Sequence, residues 1–311
     1  MAHNLEIVNG VAQMAYVGET PWHGLGAKVE AGELDLKAAG LDWHVVKNPL
    51  YASTDGGEMI EIPGKQALMR STDKRILSIV GNDWNPVQNH EAFEFFQEFI
   101  EAGDMTMHTA GSLKDGEMVW ALAKVNDGFT IKTDQGEDTV ESYLLFSNPH
   151  SYGKAIDVRF TPIRVVCNNT LTLSLNQNVD NFVRMSHQHP FDPDAAKEAL
   201  GMAKEKLATY KEAAQHLCQK RYTEDQVVEY FDTIFPTAGK RRSNKAVAAQ
   251  GYKETQAGAE FGRGTFWELY NTVTYMTNHV LGNSQDGRLR SNWYGHSAKV
   301  NKKALELAVN M

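Results

Sequence analysis

"MTMHTAGSLKDGEMVWALAKV" (105–125) is the stretch that decides the fold of this chain. Alternating apolar and polar residues on both sides flank Lys114-Asp115-Gly116. Asp-Gly between such runs is a strong hairpin signal, because glycine takes positive φ without steric cost. Two antiparallel strands are therefore expected.

The pattern continues downstream. "DTVESYLLFSNPHS" (138–151) and "KAIDVRFTPIRVVC" (154–167) read as two more strands around a turn at Asn148–Gly153, which makes a meander. Ile156, Val158 and Phe160 alternate with Asp157, Arg159 and Thr161, placing Arg159 on the polar face. Pro162 lacks an N–H for the ladder, so this strand is expected at an edge or with a bulge there. Asn169 is placed to cap a helix starting at Thr170.

Upstream, residues 1–30 read as an irregular lead-in. "LDWHVVKNPLYAS" (41–53) predicts one strand, and "KQALMRSTDKRILSIVGNDW" (65–84) predicts two joined at 71–74. "NPVQNHEAFEFFQEFIEAG" (85–103) predicts a helix, with Phe93, Phe96, Phe99 and Ile100 at helical spacing.

The C-terminal part reads as helical. In "FDPDAAKEALGMAKEKLATYKEAAQHLCQKRY" (191–222), Asp192 suits the N-cap and Pro193 the first helical position. Leu200, Ala203, Leu207, Tyr210, Ala214 and Leu217 step alternately by three and four, the seam of a helix paired lengthwise with one of this chain or of a second copy. Further helices are expected over 223–235, over 264–282 and from about Ser297 to Val309. Between them, 237–264 has no clear period and reads as a long basic loop. The fold class is thus α+β: an antiparallel β-meander core with packed helices and a mostly helical C-terminal part. The division expected is a mixed α/β domain over 1–180 and a helical region over 190–311, or one continuous domain.

Composition bounds the function. The 311 residues carry a net charge of −8, with 42% hydrophobic and 23% charged residues, as in ordinary globular proteins. Residues 1–150 hold 10 Lys and Arg against 23 Asp and Glu; residues 151–311 hold 21 against 16. Such a bipolar chain is no simple DNA-coating protein, yet it suits a basic stripe or charge-complementary contacts between copies. No apolar run approaches the ~20 residues of a membrane span. The N-terminal segment shows no basic and apolar leader pattern, and two cysteines, Cys167 and Cys218, make no disulfide framework. A cytoplasmic protein without membrane contact is expected.

Catalytic signatures are absent: no Walker-type phosphate loop, no Gly-x-Gly-x-x-Gly after a strand, no Gly-x-Ser-x-Gly elbow, no His-Glu-x-x-His. His187-x-His189 has no third ligand at partner spacing, so no metal is expected, and no cofactor. Cys167 follows Val165-Val166, where free cysteine behaves as a small hydrophobe rather than a nucleophile. Trp22-His23 is an aromatic-polar pair of the kind that stacks on bases or ligands, and the favoured reading is an anchor tucking the N-terminal segment onto the core.

The residues that point to chemistry are basic: Arg159 and Arg164 on the strand, Lys240, Arg241, Arg242, Lys245 and Arg263 in the loop, and Arg288 and Arg290 before the last helix, which adds Lys299, Lys302 and Lys303. Tyr252, Phe261, Trp267 and Trp293 are interleaved with them. Cations for phosphates with aromatic platforms for unpaired bases are how single strands are held without sequence reading. Trp293 and Tyr252 are the stacking candidates. A solvated loop and a lysine-bearing helix face are the plainer reading of the same residues.

"TPWHGLG" (20–26), "RFTPIRVVCNNTL" (159–171) and "SNWYGHSAKVNKKALELA" (291–308) resemble the phage/plasmid-like proteins of the domain-of-unknown-function 932 family. Where that family usually reads Ser-His-Asp-Gly-Ser, this chain has "NPHSYGKA" (148–155). The resemblance implies a gene carried by phages, prophages or plasmids and no established activity. The leading expectation is a non-enzymatic, homo-oligomeric accessory that binds single-stranded DNA in replication or recombination, in the host cytoplasm. The alternatives are a protein that engages a host defence factor through its acidic half, and an enzyme of unfamiliar type.

Overall fold

The computed structural model describes residues 6–18, 26–30, 32–101, 104–164, 169–170, 182–190, 192, 194, 208–239 and 241–311. Four short strands come first: β1 (Ile7–Val8), β2 (Val11–Ala12), β3 (Met14–Val17) and β4 (Ala27–Val29). A three-stranded antiparallel sheet follows, from β5 (Val45–Ser53), β6 (Met59–Arg70) and β7 (Ile76–Gly81). Helix α1 (Asn89–Glu101) leads into the meander of β8 (Met105–Leu113), β9 (Met118–Thr133), β10 (Gly136–Pro149) and β11 (Ile156–Arg164), then β12 (Asn169–Thr170) and β13 (Phe182–Met185). The rest is helical: α2 (208–219), α3 (Glu224–Ile234), α4 (Asn244–Tyr252), α5 (Phe266–Tyr275), α6 (Gln285–Tyr294) and α7 (His296–Asn310). The chain is α+β, with antiparallel sheets and several helices in its C-terminal part.

The meander is the centre of the larger sheet, ordered β12-β11-β10-β9-β8-β3-β4, with β13 also on β11. The hairpin of 105–125 forms as expected. Its turn holds Lys114, Asp115 and Gly116 at φ 52, 56 and 94, the left-handed region that glycine enters freely and aspartate tolerates.

Alternation along β9 and β10 sends side chains to two separate cores. Val119, Ala121 and Ala123 with Leu144 and Phe146 join the main one, where Phe96 of α1 meets Phe146 edge to face at 6.0 Å. Trp120, Leu122, Tyr143 and Leu145 join a smaller cluster on the opposite face, closed by Trp293 of α6. The main cluster runs from Ala15 to Ala308, so the mixed and helical parts share one core. Helix α5 is buried from Phe266 to Thr274, and Trp267 donates its Nε1–H to Asp138 of β10 at 2.8 Å. Thr223 caps α3 in a capping box, as its Thr-x-x-Gln spacing allows.

Several expectations change. Pro162 breaks no ladder: β11 pairs continuously with β10 from Asp157 to Arg164, Pro162 standing opposite Ser142. On its other edge, β13 pairs Ile156–Arg159 and β12 pairs Ile163 and Arg164, so proline falls in the gap between them. Asn169 and Thr170 start no helix there; they form a short strand on β11. The face carrying Arg159 is not open to water, because α6 lies over it. The seam positions Tyr210, Ala214 and Leu217 are buried within this chain, with Phe129 5.9 Å from Tyr210; Leu200, Ala203 and Leu207 lie outside the described residues. The aperiodic stretch 237–264 is ordered into α4 and a 3₁₀ turn, Ala259–Gly262. Ser243 caps α4, its hydroxyl accepting from the Ala246 N–H at 3.1 Å.

Candidate functional site

A cleft of about 850 Å³ opens where the ends of the meander meet the last two helices. Its sheet side comes from the β8–β9 turn (Leu113, Lys114, Met118), the end of β10 (Ser147, Pro149), the following turn (Gly153, Lys154, Ala155), Asp157 and Arg184 of β13. Its helix side comes from Gly287 and Ser291 of α6 and from Gly295 and His296 at the start of α7. Small residues on the helix side keep the space open. Gly153 takes φ 71, which lets the turn fold back and present Lys154.

The lining is cationic. Lys154 and His296 are exposed, and Arg184 is 59% exposed. Lys114 faces Glu117 only loosely, at 3.9 Å with both groups in solvent, a pairing of small worth. Asp157, the one carboxylate among the described residues of the lining, is already matched. Arg159 grips it with Nε at 2.6 Å and Nη2 at 2.7 Å, and Arg184 stands 3.9 Å away. The cleft therefore presents excess positive charge on a chain whose total is −8. Concave walls of low dielectric focus such a field on an anion.

At the neighbouring position of the turn, Tyr152 is 68% exposed. Its backbone N–H donates to the Ser78 hydroxyl at 3.1 Å, which pins the turn to β7, and the Lys65 ammonium lies 6.0 Å over its ring. An exposed ring beside a cationic cleft is the kind of surface on which a base or other flat group stacks.

The residues singled out from the sequence do not gather at one place. Arg159 is part of the scaffold beneath the cleft: besides Asp157 it donates to the Trp293 carbonyl. Trp293 is 4% exposed and packs edge to face on Trp120 at 5.3 Å, so it offers no stacking platform. Trp267 is wholly buried, and Tyr252 leans on Tyr275 at 5.7 Å. Arg242 turns inward to Asp232 and Gln250, each at 2.7 Å. Arg241, Lys245 and Arg263 are exposed, and Arg288 donates to the Gly282 carbonyl. Arg164 pairs through its backbone with Val140 and Asn169, and Arg290 lies in α6; their side chains, Lys240, Cys167 and the Trp22-His23 pair are outside the described residues. Lys114, Lys154, Arg184, His296 and Tyr152 were missed because, apart from the turn that Tyr152 shares with Lys154, they come from separate elements that only the closed meander brings together.

His187 serves structure. Its ring stacks on Trp84 at 4.1 Å and its Nδ1–H donates to the Asn85 carbonyl at 3.1 Å. His150 is fully buried, its Nε2–H donating to Asn89 Oδ1 at 3.2 Å. Asn89 in turn donates to the Leu41 and Trp43 carbonyls, tying α1 to the strand entry. Burial pushes His150 down to about 3, with His187 nearby adding to the effect. Burial likewise lowers His187 to about 4, against the opposing pull of the Asn85 and Pro149 carbonyls.

Among the described residues no helix is long and apolar enough to cross a membrane. The family model described as Domain of unknown function (DUF932) matches residues 76–304. No curated protein and no solved structure matches the chain.

Proposed function

The chain belongs to the DUF932 family, and we propose that it is a nucleic-acid-binding accessory of a phage, prophage or plasmid, acting without catalysis on single-stranded DNA during replication or recombination in the host cytoplasm. The observation that carries this reading is the cleft: Lys114, Lys154 and Arg184 converge on about 850 Å³, with His296 also in the lining, in a chain of net charge −8. Cations at the cleft neutralise phosphates and release their counterions, while Tyr152 supplies a face for an unpaired base. None of these contacts reads a base edge, so binding is expected to be sequence-tolerant. Outside the cleft, the acidic half, with 23 Asp and Glu against 10 Lys and Arg over residues 1–150, disfavours contact with nucleic acid.

The test is the affinity for a labelled single-stranded oligonucleotide as a function of salt. The reading expects log affinity to fall linearly with log salt, at about 0.7 per phosphate held. Absence of binding at low salt would refute it.

A further inference from the structure

We propose that the β5–β6 hairpin docks, as an arm, on the exposed face of α4 in a second copy of this chain. Only the base of this hairpin belongs to the three-stranded sheet. Strand β7 pairs β6 from Lys65 to Met69, so among the described residues the distal half of the arm has two open edges. Every residue from Tyr51 to Glu61 except Thr54 is exposed, on both faces of the ribbon. An isolated two-stranded ribbon is marginal in water, and open edges invite pairing unless something covers them.

The arm is also apolar where it is bare. Tyr51, Met59 and Ile60 are 49%, 60% and 51% exposed. Around them stand Asp55, Glu58 and Glu61, with no Lys or Arg from Pro49 to Pro63. A covering surface must therefore be apolar at its centre and basic at its rim.

The chain carries such a surface. From Thr233 to Lys253 there is no carboxylate. Within that span α4 exposes Lys245 and Val247, the latter at 54%, with Arg241 exposed just before its cap. Arg242 is withdrawn from this face by Asp232 and Gln250. Arm and helix are thus complementary in charge and both leave hydrophobic side chains in water. Two copies that exchange arms reciprocally about a two-fold axis close as a dimer, whereas head-to-tail docking builds rings or filaments.

Sedimentation velocity without nucleic acid tests this, independently of whether the cleft binds DNA. Wild type should self-associate into dimers or larger assemblies, dissociating as salt rises. Glu58→Lys/Glu61→Lys and Arg241→Glu/Lys245→Glu should each weaken association by on the order of tenfold or more. The protein carrying all four changes should regain it, which separates a lost contact from a misfolded variant. A monomer at every concentration, or an assembly indifferent to both reversals, would overturn the proposal. So would failure of the four-fold variant to reassemble.

Discussion

Arg159 of the meander donates its Nη1–H to the main-chain carbonyl of Trp293, 134 residues further on, while its other two nitrogens hold Asp157. One guanidinium therefore joins strand β11, the carboxylate beneath the cleft and the C-terminal end of α6. Removing it leaves the Asp157 charge, 7% exposed, without its main partner. Arg159→Ala should cost about 3–5 kcal/mol, read from urea denaturation. Arg159→Lys should recover only part, since a point ammonium replaces the planar fork. A loss within about 0.5 kcal/mol would mean that the pair is solvated.

Trp293 separates structure from binding in the same region. Trp293→Ala should destabilise by about 3–5 kcal/mol through the void left against Trp120. The oligonucleotide affinity of the fraction that remains folded should not change. A stable variant with lost affinity would make Trp293 a binding residue after all.

The buried histidines set a pH dependence. His150 and His187 titrate near 3 and 4 in the folded chain, below the ordinary 6.5. His108 is displaced the same way, mainly by burial. The unfolded chain thus takes up protons first as pH falls, so their contribution is complete above pH 6.5 and declines below it. By pH 5 the loss is about 2 kcal/mol per histidine, about 4 kcal/mol for His150 and His187 together. Urea unfolding at pH 7 and 5 checks this, and a flat profile would contradict it.

Trp267 and Asp138 form a buried bond between α5 and β10, both essentially without solvent contact. Trp267→Phe keeps the packing but takes the indole donor from the buried carboxylate, at about 1–3 kcal/mol. Asp138→Asn keeps an acceptor and should cost less. Chemical denaturation of the two variants gives the order, and the reverse order would argue against this bond as a tie between α5 and β10.

What the sequence made legible followed local chemistry. Lys114-Asp115-Gly116 announced its hairpin because only certain residues accept positive φ, and Thr223 its helix because a cap is a local contact. Helix α4 was hidden because its Ala, Asn and Lys residues bury only a narrow stripe around Ala246 and Ala249. Helix α6 was hidden by Gly287 and a polar sequence, although Ser284 stands ready to cap it. Failure to see α6 carried the larger error. Without it, Arg159 and Trp293 read as solvent-facing ligands of nucleic acid, whereas the helix buries one and bonds the other. The cleft itself was illegible for a tertiary reason: Lys114, Lys154, Arg184 and His296 are scattered through the sequence and share no local pattern.

The most direct test of the central claim is the salt dependence of single-strand affinity for Lys114→Ala/Lys154→Ala/Arg184→Ala against wild type. These side chains are at the surface, so the fold should survive and circular dichroism should not change. Three lost phosphate contacts predict a salt slope smaller by about 2, with affinity at low salt reduced by at least about tenfold. An unchanged slope and affinity in the triple variant would contradict the account and remove the cleft as the site where this protein meets nucleic acid.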